Sequence, residues 1–341
     1  MPIVGSLANA SAKSLGFTSS SDYPVYMWII VGNNGNLWTS TSSTASSWTS
    51  RTSSFGSTDI QSIASNGKDL FVAVGAGGKL ATSSDGINWT QRTSSFGTTD
   101  INNIAYGADG YWVATGAGGK IATSQNGIDW TQRTSGTSND LYSVAYGNGL
   151  WLVGENGGNF LRRATNPTST WTATSCTLSS VPQRQCIYYA KSQAIWVIGN
   201  DGGTTGAFAS STDGISWTAR TSAWSTAGFG GAFISNSSVI AFAGLDNILN
   251  STSDVESSTN GTTWTNRALA DSYCSLFAGA VDASGLLVFA GNDFNTSGAS
   301  LGVRVQSSSD GTTWTTRTSP STTAGVYGWS ICHSVGLPSA T

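Results

Sequence analysis

The chain has 341 residues, of which 38% are hydrophobic and only 10% are charged, and its formal net charge is −3. The hydrophobic share is sufficient to bury a core, so the composition excludes a disordered chain. Lys and Arg are scattered instead of forming runs, which argues against nucleic acid as a partner and leaves no basic patch for an anionic membrane.

The first residues stand apart from the remainder of the chain. Residues 1–22 are rich in small side chains and show no alternation of apolar and polar positions, so we expect an N-terminal arm that either docks or is disordered. No basic stretch followed by an apolar one begins at Met1, so the sequence predicts no secretory signal. No apolar window reaches the length of a transmembrane helix, so membrane insertion is not expected.

From about residue 23 to residue 341 the chain is repetitive. An eight-residue box, such as Ser83-Ser84-Asp85-Gly86-Ile87-Asn88-Trp89-Thr90, recurs four more times. The acidic or amide residue and the tryptophan of the five boxes are Asp85 and Trp89, Asn126 and Trp130, Asp213 and Trp217, Asn260 and Trp264, and Asp310 and Trp314. Two weaker copies end at Trp48 and Trp171, and the box tryptophans are spaced by 41, 41, 41, 46, 47 and 50 residues. Seven units of roughly 40–50 residues match the four-stranded blades of a β-propeller.

Each unit divides in the same way. In the second unit we predict strand A at 60–64, strand B at 70–74, strand C at 79–82 and strand D at 89–93, with a glycine hairpin between B and C and the box between C and D. We therefore expect an all-β fold, a seven-bladed β-propeller of four-stranded antiparallel blades.

The box residues suit a tight turn. Asp or Asn accepts hydrogen bonds from the backbone amides that follow it, and the next glycine adopts positive φ without steric cost. The tryptophan then fills the seam between blades. We interpret the five strong boxes as structural, and we expect another turn shape in the first unit, where Ala45 replaces the glycine.

The two ends of the repeat are complementary. The segment 326–333 after the last box has the pattern of a strand A, whereas the first unit lacks strand A and begins with strand B at 26–32. We expect the C-terminal strand to complete the first blade, which closes the ring and removes an exposed sheet edge.

Several other residues have structural interpretations. In strand B, Trp28 and Trp112 align with Phe71, while Trp151 and Trp196 fall one position later. Neither the four cysteines nor the single histidine, His333, has the spacing of a zinc site, so we expect no metal and no cofactor. A Cys176–Cys186 disulfide is conceivable, but free buried thiols are expected.

The boxes resemble the sialidase-type Asp-box (BNR) repeat family over roughly residues 26–335. The resemblance implies the propeller fold but not the activity. A sialidase needs three converging arginines, a tyrosine–glutamate pair and an acid/base aspartate. Here six arginines share one slot on outer strand D: Arg51, Arg92, Arg133, Arg220, Arg267 and Arg317. Glu155 has no evident tyrosine partner, and His333 gives no obvious serine triad. We therefore predict that the protein is not an enzyme.

We expect ligands at the face formed by the D–A loops and B–C hairpins, because loops on a rigid scaffold carry function. The later B–C hairpins lengthen, and aromatic residues accompany Asn and Asp there, as in surfaces that bind sugars or proteins. The candidate ligand-binding residues are Phe55, Phe96, Trp224, Phe229, Asp246, Tyr273, Asp293 and Phe294. The alternative is that the aromatic residues among them fold under their own loops.

The segment 6–18 is similar to short N-terminal segments of tailed-bacteriophage structural proteins. Together with the loops, this resemblance implies a non-enzymatic attachment protein of the virion, tail-associated, fibre or decorating. It would contact other virion proteins through the arm and host-surface glycan through the loops. A free carbohydrate-binding propeller lectin, a glycoside hydrolase and an assembly factor of the type used by photosystem II remain alternatives.

Overall fold

The computed structural model describes residues 25–337, apart from residue 158 and the segments 179–185, 200–206, 223–228, 246–253, 270–273 and 296–297. The predicted N-terminal arm, 1–22, therefore lies outside the described residues. The chain forms a seven-bladed β-propeller in which each blade has four antiparallel strands, as the sequence predicts.

The first four blades contain the most regular repeats. Their strands, given in the order A to D, are Gly328–Leu337, Val25–Gly32, Leu37–Ser40 and Thr49–Ser50 in blade 1; Ile60–Ser65, Phe71–Gly75, Leu80–Ser83 and Thr90–Arg92 in blade 2; Ile101–Tyr106, Trp112–Gly116, Lys120–Ser124 and Thr131–Thr134 in blade 3; Leu141–Gly147, Leu150–Glu155, Phe160–Ala164 and Thr172–Ser175 in blade 4. In blade 2 the observed strands match the predicted ones to within two residues.

The last three blades follow the same plan with longer connections. Their strands are Ile187–Ala190, Ile195–Gly199, Ala207–Ser211 and Thr218–Thr221 in blade 5; Phe229–Ser235, Ile240–Leu245, Asp254–Ser258 and Thr265–Ala268 in blade 6; Cys274–Val281, Leu287–Phe294, Ser300–Ser308 and Thr315–Thr316 in blade 7. One extra pair, Leu245 opposite Ser275, joins the sheets of blades 6 and 7. Short 3-10 turns lie in the B–C hairpins of blades 1 to 3, at Asn33–Gly35, Ala76–Gly78 and Ala117–Gly119.

The ring closes as predicted. The C-terminal strand pairs antiparallel with the first strand, with Trp28 opposite His333 and Ile30 opposite Ile331. Strand A of every blade contacts strand A of both neighbouring blades, so these strands surround the central axis. We call the face of the D–A loops and B–C hairpins the upper face, and that of the A–B and C–D turns the lower face.

The core consists of seven hydrophobic clusters, one in each seam between neighbouring blades. In the seam between blades 7 and 1, for example, Trp28 and Ile331 of blade 1 pack with Val288 of blade 7. A box tryptophan contributes to each cluster. Burial of such large apolar surfaces stabilises the association of each blade with its neighbour.

The strand-B aromatics occupy one position in five blades. Trp28, Phe71, Trp112, Trp151 and Trp196 all lie opposite the last residue of strand C. The predicted offset of Trp151 and Trp196 is therefore wrong. The A–B turns of blades 4 and 5 are short, so strand B begins one residue before the tryptophan, at Leu150 and at Ile195. This extra residue at the start of the strand caused the apparent offset. All four cysteines are buried thiols that form no disulfide.

Candidate binding surfaces

The Asp-boxes form one recurrent turn on the lower face. In blade 2, the Asp85 carboxylate accepts hydrogen bonds from the backbone amides of Ile87 and Asn88, both at 2.8 Å, and from the Ser83 hydroxyl at 2.9 Å. Trp89 Nε1 donates to the carbonyl of Gly86 at 3.1 Å. The same amide contacts recur at Asn126, Asp213, Asn260 and Asp310. The acceptor oxygens of the boxes are thus used within the turn.

These amide contacts also set the ionisation of the box carboxylates. Hydrogen bonds from the amides of Ser216 and Ile215 lower the pKa of Asp213 to about 2. The corresponding amides of Thr313 and Thr312 also lower the pKa of Asp310. The box aspartates are therefore charged at neutral pH, and their carboxylate oxygens accept hydrogen bonds within the turn.

The box glycine is enclosed by the preceding blade. Gly127 has φ +71, and a Cβ atom built there would lie 2.7 Å from Leu70 and 3.1 Å from Val72, both in blade 2. In blade 1, Ala45 adopts φ 51, and Trp48 Nε1 donates to its carbonyl at 3.1 Å. The prediction of another turn shape there is wrong, because the alanine enters the same left-handed region of φ/ψ space.

The six strand-D arginines are also structural. Each donates its Nε hydrogen to a strand-C hydroxyl at 2.6–3.0 Å, as from Arg133 to Thr123. These contacts lie at the outer edge of the blades, away from the axis. Converging arginines of a sialidase type are therefore not assembled from this set.

The upper face of blades 1 to 3 is tied together by repeated hydrogen bonds. The carboxylates of Asp59, Asp100 and Asp140 each accept the backbone amide of a B–C hairpin at 2.7–2.8 Å. The ammonium groups of Lys79 and Lys120 each donate to a D–A loop carbonyl at 2.8 Å. In this part of the upper face, the B–C hairpins are short and are held by these hydrogen bonds to the neighbouring D–A loops.

Two of the predicted ligand-binding aromatics belong to the core instead. Phe55 and Phe96 are each 1% exposed and lie in the seam clusters next to blades 2 and 3. The lysine contacts above, together with a bond from the Ser53 hydroxyl to the carbonyl of Gly35 at 2.7 Å, fold the D–A loop over the seam. Of the two alternatives, exposed rings or rings folded under their own loops, the second holds for Phe55 and Phe96, because the loops turn them inwards.

Other predicted residues are not placed at a site. Trp224, Asp246 and Tyr273 lie outside the described residues. Phe229 is the first residue of strand A in blade 6, at the end of the loop to which it was assigned.

Asp293 and Phe294 lie together on blade 7, in the longest B–C hairpin that the structure describes. Asp293 forms an ion pair with Arg304 at 2.7 Å, and Leu301 beside them is 45% exposed. Strand B continues three residues past Gly291, the counterpart of Gly75, so the hairpin extends about 10 Å beyond those of the first blades. We call Asp293, Phe294, Leu301 and Arg304 the blade 7 patch.

Two of these four residues, Leu301 and Arg304, are not among the predicted ligand-binding residues. Arg304 lies outside the strand-D slot that six other arginines share, and Leu301 belongs to an ordinary strand pattern, so neither residue carries a sequence signal for a binding surface. Phe160, 47% exposed at the start of strand C in blade 4, was missed for the same reason.

Both glutamates of the chain are buried. Glu155 forms an ion pair with Arg162 at 2.6 Å and accepts hydrogen bonds from Thr137 and Asn139 at 2.5 and 2.8 Å. Although desolvation by burial acts to raise it, the pKa of Glu155 is lowered by these three partners. The Ser222 hydroxyl donates to Glu256, which is also fully buried. These carboxylates have the surroundings of structural groups.

His333 lies on strand A of blade 1, and its ring packs tilted against Trp28, with ring centroids 4.3 Å apart. Burial lowers its pKa to about 4, against a smaller opposite effect of Asp282, so the ring is neutral at pH 7. Within the described ranges, no group of three or more His, Cys, Asp or Glu residues could hold a metal ion. No helix in the same ranges is long and apolar enough to cross a membrane.

Comparison with known proteins supports the fold. The DUF6242 beta propeller domain family matches residues 9–96, which include strands B to D of blade 1 and all of blade 2. No curated protein matches the chain. The resemblances to sialidase-type repeats and to phage structural proteins stay predictions.

Several solved structures share the propeller. YCF48 from Cyanidioschyzon merolae has 17% identity and a TM-score of 0.59 over 80% of this chain and 90% of that one. A structure of YCF48 bound to D1 peptide has 15% identity and a TM-score of 0.55 over 86% of each chain. Virginiamycin B lyase from Staphylococcus aureus has 14% identity and a TM-score of 0.55 over 88% of this chain and 86% of that one. At these identities the similarity establishes the fold alone.

Proposed function

We propose that the protein is a non-enzymatic attachment protein that binds a macromolecular partner through the blade 7 patch. The observation that carries this proposal is the projecting hairpin, on which an exposed apolar side chain lies beside a partly exposed ion pair. Leu301 supplies apolar area, and the side chain of Arg304 is 16% exposed. Interfaces commonly place their binding energy in such a mixture of apolar and arginine side chains.

Hydrogen bonds order the described base of the hairpin. The Asn295 amide nitrogen donates to the carbonyl of Ala299 at 2.9 Å, and the Ala299 amide donates to the Asn295 side chain at 2.9 Å. A patch that is already ordered loses little conformational entropy on binding. The similar structure of YCF48 bound to D1 peptide supports a protein ligand for a propeller of this type.

The surroundings of the ionisable groups support a non-catalytic role. Glu155 is held by Arg162, Asp293 by Arg304, and the box aspartates by backbone amides. A general acid or base needs a pKa near the working pH and access to substrate, whereas the pKa values of Glu155, Asp213 and Asp310 are lowered, which keeps these three carboxylates charged. The fold shared with virginiamycin B lyase does not carry that activity to this chain.

We further propose that the protein is part of a bacteriophage particle. The N-terminal arm, 1–22, would dock to other virion proteins, and the upper face would contact the host surface and its glycans. Mass spectrometry of density-purified particles should detect the chain in constant ratio to known capsid and tail proteins. Its absence from particles of a phage that encodes it would refute the virion assignment.

The patch is tested by adsorption to whole cells of the host on which such particles grow. Leu301→Ser and Arg304→Ala should each reduce binding of the purified chain at least fivefold, while Phe160→Ser, an equally exposed residue on blade 4, should leave it unchanged. Equal binding by all variants would refute the patch. Turnover of host polysaccharide by the purified chain would refute the non-enzymatic role. Glycan-array binding at several equivalent sites would favour a lectin instead.

A further inference from the structure

A cavity of about 400 Å³ lies on the lower face at the outer edge of blade 3. Its lining residues all belong to this blade. Tyr111 precedes strand B, Gln125 and Asp129 lie in the box turn, and Thr131 and Arg133 lie on strand D. The volume falls within the roughly 300–1,000 Å³ of small-ligand sites.

The strand register places the cavity on the side of blade 3 that faces blade 4. Arg133 pairs with Ile121, and Thr131 lies two residues before Arg133. Paired residues point to the same face of a sheet, and so do residues two apart on a strand. Ile121 belongs to the seam cluster between blades 3 and 4, and Tyr111 packs against that cluster. The cavity therefore lies beside the outer end of this seam.

This seam is built differently from the others at its outer end. Elsewhere the residue before the strand-B aromatic is aliphatic or methionine and lies against the box glycine of the next blade, as Leu70 lies against Gly127. In blade 4 the glycine's place is taken by Pro167, whose carbonyl accepts the indole hydrogen of Trp171 at 3.3 Å. The residue that faces this box is Tyr111, a polar aromatic in the place of an apolar side chain.

The neutral polar groups of the cavity are available to a ligand. Tyr111 is partly exposed, and Gln125 and Thr131 are exposed. Within the described part of the chain, the Tyr111 hydroxyl, the Gln125 amide and the Thr131 hydroxyl are not engaged in hydrogen bonds with other residues. Each of these three groups can both donate and accept a hydrogen bond.

The two charged side chains are only partly engaged. Arg133 donates its Nε hydrogen to Thr123 at 2.9 Å, which leaves its two Nη groups for other acceptors. One carboxylate oxygen of Asp129 accepts a hydrogen bond from the Asn126 side chain at 2.8 Å, and the other is not used among the described residues. The lining thus carries one positive and one negative charge.

Three of the lining residues depart from the repeat. In the four other strong boxes, serine or threonine stands at the position of Gln125, and asparagine, serine or threonine stands at that of Asp129. In blade 2 the counterpart of Tyr111 is Leu70. Those ordinary residues are sufficient for the turn and the seam. Three departures that meet in one cavity therefore point to a ligand, and not to the fold, as their reason.

We propose that this cavity binds a single neutral pyranose unit of a glycan. Sugar hydroxyls donate and accept hydrogen bonds, as the lining groups do, and an aromatic ring such as that of Tyr111 supplies a surface for the C–H face of the sugar. The balanced charges of Arg133 and Asp129 favour a neutral ring over an acidic or basic one. The site lies on the lower face, so it is independent of the blade 7 patch.

The proposal is tested by saturation-transfer difference NMR on the full chain. The probes are methyl α-D-mannopyranoside, methyl α-D-glucopyranoside and methyl β-D-galactopyranoside, each titrated to about 50 mM. We expect at least one to bind saturably with a millimolar Kd. Tyr111→Leu, which restores the residue of blade 2, should weaken binding at least tenfold, and Asp129→Asn severalfold. Asn88→Ser, at the position of Asp129 in the box of blade 2, should have no effect.

A second variant leaves these contacts intact. Thr131→Trp fills the cavity from its rim and should abolish binding, while Leu301→Ser should leave it unchanged. Thermal melting verifies that each variant is folded. Binding of none of the three sugars by the wild type would overturn the proposal, and so would unchanged affinity in both Tyr111→Leu and Thr131→Trp. Loss of binding in Leu301→Ser would assign the sugar to the blade 7 patch, and tighter binding of glucuronate or glucosamine would overturn the preference for a neutral ring.

Discussion

The enclosure of the box glycine predicts that Gly127→Ala destabilises the protein far more than an alanine at another left-handed glycine. Gly118, in the B–C hairpin of the same blade, has φ +63, but a Cβ atom built there meets nothing within 4 Å. Both substitutions place alanine in the left-handed region, which costs about 1–2 kcal/mol. Both also recover about 0.4–1 kcal/mol, because alanine has less freedom than glycine in the unfolded chain.

Only Gly127→Ala adds a steric conflict. The new methyl group would lie 2.7 Å from Leu70 and 3.1 Å from Val72, so blades 2 and 3 must move apart at that seam. Overpacking of this kind costs about 1–3 kcal/mol. We therefore expect a loss of about 0.5–1 kcal/mol for Gly118→Ala and about 2–4 kcal/mol for Gly127→Ala.

Differential scanning calorimetry is a suitable assay. With the usual entropy of unfolding per residue, a chain of this length should lose roughly 3–6 °C in Tm for Gly127→Ala and about 1 °C for Gly118→Ala. Ala45, which already occupies the corresponding turn in blade 1 at φ 51, shows that the turn itself accepts an alanine. Equal Tm values for the two variants would refute the steric argument and assign the cost to backbone conformation alone.

Three further predictions concern charge and ring closure. The pKa of Asp213 is about 2 in the fold and 3.8 in an unstructured peptide, so its carboxylate contributes stability above about pH 4 that is lost as the pH falls towards 2. Asp213→Asn, which places an asparagine where another box has Asn126, should therefore make Tm fall less steeply between pH 5 and pH 2. An unchanged dependence of Tm on pH would contradict this. Ile331→Ala, in the closing strand and 4% exposed, should cost about 2–5 kcal/mol in urea unfolding, and a loss under 1 kcal/mol would show that the closing strand is dispensable. Glu155→Ala should cost about 3–5 kcal/mol because it leaves the Arg162 guanidinium, which is only 15% exposed, without its carboxylate, whereas adding Arg162→Leu should recover part of this loss. Strictly additive losses would show that the pair is not coupled.

The fold could be predicted from the sequence because each blade carries local signals that agree. The box turn, the hairpin glycines and the strand-B aromatic recur in one order, and the pairing of Trp28 with His333 confirms the predicted closure. The turn at Ala45 was predicted incorrectly because the preference for glycine at positive φ is a matter of 1–2 kcal/mol, roughly, and the surrounding contacts override it.

The candidate surfaces were harder to predict, since exposure of a loop side chain depends on how the loop folds. Phe55 and Phe96 have the sequence surroundings of exposed loop aromatics, yet hydrogen bonds from Lys79 and Lys120 hold their loops over the seams. Leu301 has the pattern of a buried strand residue, yet strands B and C of blade 7 continue past the edge of the blade. Neither outcome is encoded in the spacing of a few neighbouring residues.

Closure by the last strand also has a consequence for synthesis on the ribosome. The strand that pairs with residues 25–32, Gly328–Leu337, is translated after every other strand that the structure describes. Until then the apolar edge of Val25–Gly32 has no permanent neighbour, and such an edge is prone to join other nascent chains. Chaperone dependence during translation, followed by a rapid gain in protease resistance once Gly328–Leu337 has left the ribosome, is the behaviour that this topology imposes.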